Sequence, residues 1–209
     1  MADQSRRVEA LLEEVLDAAE EIIEKHGSEG LSVRAVAQHV GISVGNLQYH
    51  LPTRAKLLDA VFRRRAEQFK SELFDAVEEI EDVKRRFAVL IDFWLSSQHN
   101  ADQMLFWHLW AMSAHDADAS VTMSAVYGEL VDFVADLIGA IDETMTRASA
   151  RRRAAVITSV IEGSGLFVGY GREPEPSLRS LQREVRSVVM ALAGCDGIPV
   201  QRIASKRKR

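Results

Sequence analysis

The sequence predicts an all-α fold. Apolar residues recur at three- and four-residue steps along most of its 209 residues, and strand-type alternation of Val, Ile and Thr is absent. The four prolines, Pro52, Pro174, Pro176 and Pro199, leave long stretches without a helix breaker. The expected organisation is an N-terminal three-helix head with a helix-turn-helix over 1–52 and a long connecting helix over 53–80. A larger helical domain over 81–197 and a basic tail over 198–209 follow.

Each helix of the head has its own warrant. Val8, Leu11, Leu12, Val15, Ala19, Ile22 and Ile23 make one helical stripe that ends at His26-Gly27. A second helix opens at Ser32, whose side chain can cap free backbone N–H groups, with Leu31 stapled to Val36. Its inner face is Val33, Val36, Ala37 and Val40, and Gly41 suits a left-handed C-terminal residue. Ser43 caps a third helix, with Ile42 stapled to Leu47, and Thr53 after Pro52 caps a fourth. The run from Ala37 to Ser43 is therefore the corner of a helix-turn-helix.

At about 100° per residue, Ile42, Leu47 and Leu51 face inward on the third helix. Gly45, Asn46, Gln48 and Tyr49 then face out. Asn46 and Gln48 can pair with adenine edges, and Val44 can pack on a thymine methyl. Gly45 allows close backbone approach, while Tyr49, His50 and Arg54 suit phosphate oxygens. With Ser32, Arg34 and Ser43 at the adjoining helix starts, these residues form the expected contact set for double-stranded operator DNA. Charge distribution agrees despite a net charge of −5. From Glu9 to Glu29 eight acidic residues face Lys25 alone, whereas from Leu31 to Arg65 six cations face Asp59 alone. That contrast suggests a DNA-facing side and a solvated back. Arg6 and Arg7 could add an arm touching DNA.

The segment from Leu31 to Ala37, then Gly41 to Arg54, then Leu57-Leu58, resembles the TetR family of repressors. Where that family commonly has Phe, this chain has Leu51, and where it has Lys-Glu, this chain has Arg54-Ala55. The apolar plug and the positive charge are kept. The resemblance implies a repressor that grips a palindromic operator as a homodimer and is released by a small-molecule effector. Control by a protein partner is the alternative.

Beyond the head, helices are expected over 83–98, 102–114, 120–144, 148–168 and 177–193. Leu178, Leu181, Val185, Val188 and Leu192 step by three or four and make a narrow seam. It is either an internal packing face or the dimer interface that the resemblance favours. Trp94, Trp107, Trp110, Tyr127, Phe133, Glu162 and Phe167 are candidates for an effector pocket suited to an apolar or cationic molecule, or else ordinary core. The stretches Phe93 to Ser97 and Ile161 to Gly163 bear a slight resemblance to the choline-responsive branch of the family.

Other chemistries find little support. His99, His108, His115, Asp116 and Asp118 lack the regular spacing of a metal site, and no nucleophile motif or phosphate loop appears. Neither catalysis nor a cofactor is expected. The lone Cys195 fits a reducing cytoplasm, no run approaches a membrane span of roughly 20 apolar residues, and the N-terminal stretch is acidic where a signal peptide would be apolar. Lys206 to Arg209 reads as a solvated tail.

Overall fold

The computed structural model describes residues 2–98, 101–168, 175–195 and 197. Among them the backbone forms nine α-helices and no strand. These are α1 (Ala2–Gly30), α2 (Val33–Val40), α3 (Val44–His50), α4 (Arg54–Val77), α5 (Val83–Ser97), α6 (Ala101–Ser113), α7 (Ala117–Ile141), α8 (Arg147–Val168) and α9 (Leu181–Leu192). No described helix is long and apolar enough to cross a membrane. The basic tail and His99 lie outside the described residues.

Local side-chain chemistry sets the boundaries of the first helices. Gly27, at φ 67°, interrupts α1, as its sequence position implies. Ser32 Oγ accepts the Ala35 N–H at 3.0 Å, Ser43 Oγ that of Asn46 at 3.2 Å, and Thr53 Oγ1 that of Lys56 at 3.2 Å. Gly41 closes α2 at φ 80°, where a side chain would be strained. Several boundaries depart from expectation: α4 ends at Val77 rather than at 80 and α7 at Ile141 rather than at 144, and two others have a visible cause. Helix α7 starts at Ala117 rather than near Ser120, because Asp116 Oδ1 accepts the N–H groups of Asp118 and Ala119 at 3.0 and 3.1 Å. The expected helix over 177–193 is broken. Pro176–Leu178 form a 3₁₀ turn closed by the Leu178 N–H on the Glu175 carbonyl, and α9 begins only after Ser180.

By packing, the chain divides into two compact units: Met1–Glu67 with Met104–Val126, and Gln68–Gln103 with Tyr127–Arg209. Helices α4 and α7 thus each contribute one end to either unit. In the first unit, Leu57, Leu58, Val61 and Phe62 of α4 are buried among Ile23, Val36, Leu47, Leu105 and Leu109. The Phe62 and Phe106 rings lie 6.0 Å apart. In the second, Leu73, Phe87, Ile91, Trp94, Val134, Ile157 and Val189 share a separate core. There α9 packs on both α5 and α8. A buried ion pair, Arg186 Nε to Asp92 Oδ1 at 2.5 Å, ties α9 to α5, and Gln182 Nε2 donates to the Leu95 carbonyl at 2.8 Å.

Candidate nucleic-acid interface

Leu47 anchors α3: it is buried, and Ile42 and Leu51 pack partly buried against the same core. With that side fixed, helical rotation presents Val44, Gly45, Asn46, Gln48 and Tyr49 to solvent. Tyr49 is 85 % exposed, its ring edge-on to His50 with centroids 5.0 Å apart. A Cβ at Gly45 would meet nothing within 4 Å, so the surface there is open. Arg34, at the start of α2, is exposed, as is Ser43, while Ser32 is half-buried at its capping bond. Small, amide and aromatic side chains together on one exposed helix face can reach base edges and phosphates.

Arg54 is placed differently from a free phosphate ligand. Its Nε donates to the Leu31 carbonyl at 3.1 Å and its Nη1 to Asp116 Oδ2 at 2.5 Å. It therefore braces the start of α4 against the loop before α2 and the start of α7. The Ala119 N–H and then the Arg54 guanidinium hold the Asp116 carboxyl below the usual aspartate range. Arg63 pairs with Asp59 along α4. Arg64 meets Glu20 at 2.6 Å, Asp17 at 2.8 Å and Glu13 at 3.0 Å. Burial works against the charge of Arg64, but these carboxylates outweigh it and hold its pKa above the ordinary value. Arg64 of the basic segment is thus paired with three carboxylates of the acidic one, while Arg34 stays exposed beside α3. Lys56, exposed on α4, was not singled out by its sequence context.

The other expected sites are distributed between the units. Trp107 and Trp110 fall in the first unit, half-buried on α6. Trp94, Tyr127, Phe133, Glu162 and Phe167 fall in the second. There Trp94 and Glu162, 2 % and 5 % exposed, are joined by an indole N–H donated to the carboxylate at 3.0 Å. Phe133 packs against the same core and lies edge-on to Phe74, beside a cavity of about 380 Å³ lined also by Leu73, Leu90 and Leu137. Phe167 is exposed. In the C-terminal seam, Val185 is buried in the core of its own unit, whereas Val188 is 50 % exposed. Leu181 and Leu192 lie at the margin, packed against the core, and Leu178 is half-buried in the 3₁₀ turn. On α8, exposed Val156 and Phe167 lie on the same side as Gly163.

Residues 15–61 match the family profile described as "Bacterial regulatory proteins, tetR family". The head of the chain is thus similar to the heads of that family. TetR-family proteins are DNA-binding transcription regulators, not enzymes. Solved structures share the fold over nearly the whole chain. A proposed transcriptional regulator from Pseudomonas aeruginosa PAO1 superposes with a TM-score of 0.70 at 16% identity, covering 91% of this chain and 90% of that one. A TetR transcription regulator from Haloarcula marismortui ATCC 43049 gives 0.65 at 19% identity, covering 89% and 97%. A proposed regulator from Saccharomonospora viridis, solved in complex with choline, gives 0.64 at 17% identity, covering 90% and 96%. No curated protein matches the chain in sequence.

Proposed function

We propose that this protein is a cytoplasmic repressor of the tetR family that binds a palindromic operator as a homodimer and releases it when a small apolar or cationic molecule occupies the second unit. The observation that carries the reading is the outward face of α3, fixed by buried Leu47 and bearing Val44, Asn46, Gln48 and Tyr49. Gln48 and Asn46 read adenine edges, and Val44 packs on a thymine methyl. Tyr49 and His50 meet phosphates, joined by Arg34 and Lys56, while Arg54 positions the start of α4. A dimer follows from the geometry of reading both halves of a palindrome, with two recognition helices about one DNA turn apart. The surface offered for it is the exposed side of α8 and α9, with Val156, Gly163, Phe167 and Val188. The buried Trp94–Glu162 pair supports a ligand site, an aromatic wall beside a carboxylate suiting a cation. The choline complex of the structural neighbour is consistent with that class.

Selection of bound sequences from random DNA tests the reading directly. A palindromic consensus that is lost with Gln48→Ala is expected. Enrichment of no sequence overturns it, and a consensus insensitive to every small molecule would transfer control to a protein partner.

A further inference from the structure

Gln98 closes α5 at its C-terminal end and is 0 % exposed. Neither its amide oxygen nor its amide nitrogen has a hydrogen-bond partner. A carboxamide offers two N–H donors and two acceptor lone pairs, and burying all of them unmet is costly. Leucine would fill much the same volume without that cost. A second unmet group lies in the same unit: Thr158 Oγ1, on α8, is also buried without a partner. Gln98 follows Trp94 by one turn on α5, and Thr158 precedes Glu162 by one turn on α8. Residues four apart share a helix side. The two unmet groups therefore neighbour, on their own helices, the residues of the buried Trp94–Glu162 hydrogen bond.

We infer that Gln98 is a specificity-determining residue of a small-molecule site in the second unit, and that its ligand carries a carboxamide-type head, an N–H donor beside a C=O acceptor, on an apolar body. The inference deepens the effector reading given above and rests on it. The Gln98 Nε2–H groups donate to the ligand carbonyl, and the ligand N–H donates to Gln98 Oε1, two bonds in one plane. A hydrocarbon supplies neither bond, and a quaternary ammonium supplies no acceptor. Trp94 contributes the apolar wall, and the Thr158 hydroxyl remains for a further polar group of the ligand.

The test uses the full chain, labelled with ¹⁵N, and two probes that differ in one group: benzamide and acetophenone, in which a methyl replaces the amide nitrogen. Benzamide should shift the side-chain NH₂ signal that Gln98→Leu removes, and should bind about tenfold or more tightly than acetophenone. Gln98→Leu should erase that preference while melting no lower than the parent protein, because the unmet amide is gone. Equal binding of the two probes, no shift at saturating benzamide, or a preference that survives Gln98→Leu overturns the inference. So does a lower melting temperature with the preference intact, which would make Gln98 a structural group held by internal water. Operator affinity measured alongside separates the two readings. A Gln98-dependent amide preference with unchanged operator affinity leaves this site standing and removes its control of DNA. Operator release by a compound indifferent to Gln98→Leu does the reverse.

Discussion

Gln48 and Arg34 are both exposed on the first unit, yet the proposal gives them different duties, and their substitutions should be distinguishable. Gln48→Ala should cost about 1–3 kcal/mol at one base pair of each half-site and leave other positions alone. Arg34→Ala should weaken every sequence alike and shallow the salt dependence by about one unit per site. Titration of operator variants at several salt concentrations checks both, and uniform weakening by Gln48→Ala would move base reading to Asn46 or Val44. Asp116 gives a second test, through pH. Its folded pKa is depressed, first by the Ala119 N–H and then by Arg54, so its stabilisation is complete above the unfolded value of about 4 and is lost as pH falls through the lower, folded one. The melting temperature should therefore fall more steeply below about pH 4 in the parent protein than in Asp116→Asn. Parallel slopes would show that Asp116 does not tie α7 to Arg54. At this scale the sequence was least informative about cations. The carboxylate partners of Arg54 and Arg64 lie 62 and 44 to 51 residues away, beyond the reach of any local pattern.

Helix ends were the most legible elements, because a cap is a transaction between residues three apart. Ser32, Ser43 and Thr53 declare their helices by side-chain chemistry alone, and Gly27 and Gly41 mark breaks by conformational freedom. Asp116 caps α7 just after the turn at His115, where no apolar periodicity marks the helix start in advance. The C-terminal seam was harder, since a three- and four-residue step cannot say which edge of a stripe meets its own core. Helix α9 turns Val185 inward and Val188 outward, and that division makes a prediction about two adjacent turns. Val188→Glu should yield a folded monomer with poor operator affinity, because a charge placed in an apolar interface costs several kcal/mol and each head alone has half the contacts. Val185→Glu should instead lower the melting temperature and the helicity. Sedimentation and circular dichroism separate the outcomes, and a Val188→Glu protein that remains a dimer would place the interface elsewhere.

For the whole molecule, control of DNA by a small molecule is a coupling between two binding events and runs both ways. At a typical coupling of about 1–3 kcal/mol, saturating effector should weaken operator binding roughly 5–150-fold, and operator should weaken effector binding by the same factor. Fluorescence titration of free and operator-bound dimers measures the second arm. Equal affinities would leave the compound no means of driving release. The sequence foresaw a head and a larger helical domain, but not that Trp107 and Trp110 belong to the same compact unit as the head. A linear reading expects each unit to be one stretch of chain, whereas residues 104–126 return to pack with the first 67. This interleaving bears on how such a protein can change over generations. A single genetic crossover cannot transplant the first unit by itself, because residues 68–103 of the second unit are encoded between its parts. A crossover within residues 68–103 would bring Phe62 into a new host without the Phe106 against which it packs. The two units then separate less readily than two consecutive stretches of chain would, and each is altered largely in the presence of the other.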